Sequence, residues 1–381
     1  MALSDPGFVA VSAGSHGHTC GLTIVSAAYC WGDNSLGHLG NGTTTQSPIP
    51  MAVSGRLSFA VVSAGFAHTC GLTSLGAAYC WGLNDGGQLG DSSASGPEQC
   101  VVSGTSYPCS TAPVPVSGGL VFRFLSSGGK HTCGITSAGA AYCWGWNGLG
   151  QLGNGTTINS TIPVAVSGAI SFAAVSAGGE HTCGITNAGA AYCWGANAHG
   201  QVGNGDTTQS TIPIAVSGGH SFATVSAGVY HTCGVTPTRV GYCWGNNVYG
   251  ALGNGSMTQS PTPVAVSGGF RFAAVSAGGH TCGVTSAGAA YCWGEDLYGE
   301  LGDGTITRLP SCSASGDFPC STTPVAVSGG LTFTAVSVGA AHTCGVTTAG
   351  VTYCWGLNEH GQLGNGSNAG SGIPVLVAGQ P

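Results

Sequence analysis

Fifteen residues, HTCGITSAGAAYCWG at positions 131 to 145, recur with small changes seven times, starting at His18, His68, His131, His181, His231, His280 and His342. Any fold open to this chain must repeat one local structure seven times. In each copy two cysteines stand ten residues apart and Trp-Gly follows the second. Apolar and small residues flank Ser137-Ala138-Gly139, which predicts two short strands joined by a three-residue turn ending on a glycine free to take positive φ.

Counting outward from that turn pairs Thr136 with Ala140, Ile135 with Ala141, Gly134 with Tyr142 and Cys133 with Cys143. If the closing pair is hydrogen-bonded, alternation makes the cysteine pair non-hydrogen-bonded, with Cα atoms about 4.5 Å apart and within disulfide reach. Each bridge would close a loop of about ten residues and contribute roughly 2–3 kcal/mol in the chain-entropy model.

Of the eighteen cysteines, fourteen fall in these hairpins: Cys20 and Cys30, Cys70 and Cys80, Cys133 and Cys143, Cys183 and Cys193, Cys233 and Cys243, Cys282 and Cys292, Cys344 and Cys354. The other four are Cys100, Cys109, Cys312 and Cys320. An even, regularly spaced set fits an oxidising compartment, outside the cell or in a periplasm. Zinc is the competing reading, but the spacing is not CxxC and a cross-strand pair supplies two ligands where four are needed. Residues 1–20 carry no signal-peptide pattern, as expected of a mature or trimmed chain with an added Met1. No run of about eighteen apolar residues exists, so membrane insertion is not expected. Six basic against thirteen acidic residues, with Lys130 the one lysine, argue against a nucleic-acid partner.

Along the chain, FVAVSAG at 8–14 reads as a first strand, HTCGLT as a second, AAYCWG as a third and PIPMAV at 48–53 as a fourth, after which the cycle restarts. Four short strands in each of seven units of about fifty residues predict an all-β, seven-bladed β-propeller of four-stranded antiparallel blades over residues 1–381. The Ala, Val, Ser and Gly of the first strands suit a crowded central axis. The terminal strand IPVLVAG at 373–379 suits either blade one or blade seven. Two copies break the period: 63 residues separate Cys70 from Cys133 and 62 separate Cys282 from Cys344, against 49 or 50 elsewhere. The extra residues place disulfide-stapled insertions at 97–111 and 310–322, in blades nearly across the ring from each other.

The motifs GxxHTCGIT and AAYCWGxNxxGQLGNGT, followed by a PVAV strand, resemble the repeat of the regulator of chromosome condensation family over nearly the whole chain. The resemblance implies a seven-bladed propeller whose blade loops bind other proteins. Family members include a nucleotide exchange factor for a small GTPase on chromatin, a plant ultraviolet-B photoreceptor and a bacterial inhibitor of β-lactamases. The photoreceptor's Trp and Arg before His-Thr are absent; Phe66-Ala67, Gly129-Lys130, Gly179-Glu180, Val229-Tyr230 and Ala340-Ala341 stand there. The exchange factor's reducing compartment and basic tail do not fit either. The paired cysteines resemble those of secreted bacterial members.

Seven equivalent histidines invite a metal reading, but a histidine repeated once per blade is expected to hydrogen-bond a neighbouring backbone, so neither metal nor cofactor is expected. The seven tryptophans are expected to pack between blades. With no nucleophile elbow, Walker loop or HExxH helix, the chain does not read as an enzyme. Repeats sharing a scaffold should diverge where they serve a surface, and two columns diverge most: the residues before the repeated His and those following Trp-Gly. In a meander both project from one end, and they supply the candidate partner-binding residues Phe66, Lys130, Trp146, Glu180, His199, Tyr230, Tyr249, Glu295, Tyr298 and His360. The loop EDLYGELGDG at 295–304 reads as a solvated acidic turn, with a basic partner or calcium as the alternative. Sequons at Asn41, Asn154, Asn159, Asn254 and Asn365 are candidate glycosylation sites. The expectation is therefore a secreted, non-enzymatic scaffold that binds a protein partner through one loop face. The alternatives are an inhibitor of a secreted enzyme such as a β-lactamase, and a self-assembling subunit of a surface layer or filament.

Overall fold

The computed structural model describes residues 7–305, 312 and 318–380. Seven antiparallel sheets are present, each an uninterrupted run of chain; in six of them neighbouring strands follow one another in sequence, whereas in blade two the third strand pairs with Thr105–Pro115 and Glu98–Val102 lies outside it. Blade three shows the unit: Phe122–Ser127, His131–Thr136, Ala141–Gly145 and Ser160–Ala165. Its hairpin register is the expected one, with Cys133 opposite Cys143 and Ile135 opposite Ala141. The closing pair is hydrogen-bonded, Thr136 N–H donating to the Ala140 carbonyl at 3.0 Å, and Gly139 sits at φ 83°. The cysteine Cα atoms consequently approach to 4.1 Å, and a disulfide joins them.

The terminal strand Ser371–Leu376 completes blade seven, while blade one is built from Phe8–Ala13 to Ser47–Ala52. The ring therefore closes with no exchanged strand. What holds the seam is what holds every other blade boundary. At the boundary of blades three and four, the disulfide Cys133–Cys143 packs with Ile135 and Leu152 against Phe172, Val175 and Trp194 of the next blade. All seven repeat tryptophans are fully buried in such boundaries, as expected of interblade packing.

Two rings of polar contacts run around the wheel. Near the axis, the serine of each first strand accepts an N–H from the following blade, as in Ser126 Oγ with Ala177 N at 2.9 Å and Ser337 Oγ with Ala13 N across the seam. These N–H groups lie on the inner edge of each sheet, where no further strand could satisfy them. Farther out, the repeated histidine Nε2 meets the threonine hydroxyl of the next blade at 2.6–3.0 Å in all seven places, closing with His342 on Thr19. Each threonine hydroxyl in turn donates to a backbone carbonyl of the preceding blade at 2.9–3.2 Å, and that carbonyl also accepts the tryptophan Nε1–H. A hydroxyl has one proton to give, so it must accept from the histidine, which fixes the proton on Nε2 and leaves Nδ1 bare. The histidine partner is thus a side chain one blade away rather than the backbone group expected from the sequence. Because these rings are buried, their basicity falls, to about 3 for His68, His131, His181 and His280 and about 4 for His231 and His342.

Of the two insertions, the first is a hairpin, Glu98–Val102 with Thr105–Pro115, whose second strand runs on as the outer strand of blade two. Its cysteines Cys100 and Cys109 are bonded and buried against Leu36, Ala67 and Leu83. Much of the second, at 310–322, lies outside the described residues, although Cys312 and Cys320 pair.

Candidate functional site

Because each blade is a four-strand meander, the loop between first and second strands and the long loop between third and fourth strands emerge at one end. They touch there: Trp146 N–H donates to the Lys130 carbonyl at 2.8 Å, and Lys130 Nζ pairs with Asp85 of the preceding blade at 2.5 Å. Phe66, Lys130, Trp146, Glu180, Val229 and Tyr230 line a recess of 440 Å³. A second recess of 400 Å³ is lined by His199, Tyr230, Asn246, Val248, Tyr249 and Glu295. Tyr230 is common to both, is half exposed, and meets the His199 ring edge-on at 5.6 Å. Burial pushes the Glu295 carboxyl up from its ordinary value. Eight of the ten candidate residues thus share one stretch of surface. Of the remaining two, His360 stands instead over the closing seam against Gly17, and Tyr298 lines neither recess. Val229, Asn246 and Val248 were not singled out from the sequence; their column is divergent, but their side chains carry no aromatic or charged signal.

The acidic loop is not the solvated turn expected. Asp296 and Glu300 are buried because they occupy the columns that hold Asn34, Asn84, Asn147, Asn197, Asn247 and Asn358, and Gln88, Gln151, Gln201 and Gln362, in other blades. Asp296 Oδ1 accepts Leu301 N–H as Asn147 Oδ1 accepts Leu152 N–H, and Glu300 accepts Tyr298 N–H as Gln151 accepts Leu149 N–H. Burial first, then the charges of Glu295 and Asp296, push the Glu300 carboxyl up to about 8. A carboxyl neutral when folded and ionised when unfolded makes stability fall as pH rises from the ordinary carboxylate range through about 8. Glu300→Gln restores the residue of four sister blades. It is expected to stabilise the protein on the order of 3 kcal/mol at pH 7, fading towards pH 4, as read from thermal melts.

The sequons have a structural explanation. Asn41, Asn154, Asn254 and Asn365 accept the N–H two residues on, and Asp91, Asn204 and Asp303 do the same in blades without a sequon. Asn159 lies outside that position, is exposed, and accepts Asn147 N–H at 2.9 Å.

One cluster went unread in the sequence. In blade one His16 Nδ1 lies 2.9 Å from Asp33 Oδ2, and His38 Nε2 lies 3.9 Å from Asp33 Oδ1. The signal was His38 in the glutamine column, which no sister blade fills with histidine.

A family model described as RCC1-like domain matches residues 29–380. A 44-residue stretch is 50% identical to the E3 ubiquitin-protein ligase HERC2 of Homo sapiens, covering 12% of this chain and 1% of that protein. Among solved structures, that of Kap60 bound to yeast RCC1 (Prp20) superposes with TM-score 0.80 at 19% identity, over 93% of this chain and 84% of that one. Human WBSCR16 superposes at 0.78 with 21% identity over 92% and 94%. The CRINKLY WD40 ectodomain of the Arabidopsis thaliana receptor kinase ACR4 does so at 0.56 with 20% identity over 92% and 97%. With seven copies of the repeat in seven blades and the family match running through all of them, the chain belongs to the RCC1-like domain family.

Proposed function

We propose that this protein is a non-enzymatic binding scaffold that works outside the reducing cytosol and grips a protein partner through the loop face around Tyr230. The observation that carries this reading is the contrast between columns. His-Thr-Cys and Cys-Trp-Gly do not vary and are buried, whereas the positions beside them vary between blades, and several from blades two to six converge on adjoining recesses. Aromatic anchors among neutral polar groups are the composition of a protein-binding centre. The nine cysteine pairs support an oxidising compartment, since buried bridges of this number are rare where thiols are kept reduced.

An enzyme inhibitor would be one form of this function, and absence of inhibition of class A β-lactamases at micromolar protein would remove that form. Assembly through sheet edges is disfavoured in six blades by Pro50, Pro163, Pro213, Pro263, Pro324 and Pro374 of the outer strands, because proline offers no N–H to a further strand. The reading is tested by capture from the protein's native medium. Tyr230→Ala and Trp146→Ala should each weaken retention of the partner at least about tenfold, the range of truncated anchors. Full retention by both variants would show that the working face lies elsewhere.

A further inference from the structure

The repeat supplies its own control for the cluster in blade one. In blades two, three, four and seven the glutamine Oε1 accepts the N–H two residues earlier, at 2.8–3.1 Å. His38 replaces that glutamine, is wholly buried, and has no hydrogen-bond partner on either ring nitrogen. Leaving buried polar atoms unpaired is costly, so a histidine here needs another reason. Two more blade-one departures meet it: Asp33 follows Trp-Gly where the sister blades have Leu83, Trp146, Ala196, Asn246, Glu295 and Leu357, and His16 lies in a first loop at least one residue longer than those of the sister blades, Ser15 N–H making the contact to the next blade that Phe66 N–H makes in blade two.

The three donor atoms lie within 4.8 Å of one another. The Asp33–His38 separation is too long for a hydrogen bond, but close to the roughly 3.3–3.6 Å between two ligands on one tetrahedral zinc. Asp33 is oriented by the Ser35 N–H at 2.8 Å, and His16 is braced edge-on by Phe66 at 4.7 Å, which are the outer contacts a ligand set requires. His18, whose ring lies 4.7 Å from that of His38, is committed through Nε2 to Thr69 and is not a ligand.

We propose that His16, Asp33 and His38 bind a borderline divalent transition metal, zinc foremost, with the remaining coordination position facing solvent beside the one-third-exposed His16. Two imidazoles and one carboxylate suit zinc, and three protein ligands leave one position for water or a partner's side chain. The test is calorimetric titration of zinc chloride into disulfide-intact protein stripped with EDTA. Wild type should bind one zinc per chain. Asp33→Asn and His38→Gln should each weaken that site at least about tenfold, as losses of ligands and their supports do. His220→Ala, on the opposite face, should leave it unchanged. His38→Gln installs the residue of four sister blades, so its melting temperature in EDTA should match or exceed wild type and exclude misfolding as the cause. Wild type binding zinc no more tightly than His38→Gln, or only weakly and at several surface histidines, would overturn the assignment.

Discussion

Acidification from pH 7 to pH 5 is expected to destabilise this protein far beyond an ordinary all-β domain, with melting temperature falling steeply and the fold lost near pH 4. Each of the seven ring histidines is neutral when folded, and its basicity is lowered chiefly by burial. Once unfolded, the same ring takes up a proton near pH 6.5. Between that value and the folded values of about 3 to 4, the unfolded chain holds more protons, so stability drops as pH falls. The loss is about 1.4 kcal/mol per histidine per pH unit, or roughly 2 kcal/mol each by pH 5. Seven together reach on the order of 10 kcal/mol, comparable to the whole stability of a typical domain. Glu300 works in the opposite sense but is one group against seven. Circular-dichroism melts at pH 7, 6, 5 and 4 read this directly, and equal melting temperatures at pH 7 and 5 would contradict the buried neutral ring.

Reduction is expected to have the other large effect, but only once the wheel has opened. The fourteen hairpin cysteines are fully buried, so a thiol reductant in native buffer should reach at most the insertion pair Cys312–Cys320, which is slightly exposed. In urea every bridge becomes accessible. Each hairpin bridge constrains the unfolded chain by about 2–3 kcal/mol, so the seven of them together exceed the usual margin of folding. The reduced chain, diluted out of urea without oxidant, should therefore stay unfolded, and with a glutathione redox buffer it should refold. Replacing one pair, Cys133→Ala with Cys143→Ala, should cost a few kcal/mol and leave the wheel folded. Refolding of the fully reduced chain without oxidant would show that the bridges contribute little.

The hairpin register was legible because a three-residue turn with glycine last leaves one way to count, and the counted pairs recur in all seven blades. Blade number and strand order followed from the period. The closure was not legible, since Ser371–Leu376 carries the same outer-strand pattern whichever blade it joins. The histidine partner was missed because it lies about fifty residues away, although the threonine that follows every histidine was already the acceptor in each copy. Asp296 and Glu300 looked solvated from their charge alone; alignment to the Asn and Gln columns places them inside. Eight of the ten candidate surface residues, chosen from divergence between repeats, share one stretch of surface, but His38 escaped because its column, glutamine in four blades, reads as structural.

Seven self-contained blades, each stapled by its own cross-strand bridge, make up the wheel. Mass spectrometry of the unreduced protein, whole and then cleaved between the hairpins, tests this most directly. It should find a mass 18 hydrogens below that of the reduced chain, and each second-strand cysteine joined to the third-strand cysteine of the same blade, as Cys183 is to Cys193. Free thiols in the hairpins, or bridges running between blades, would contradict it.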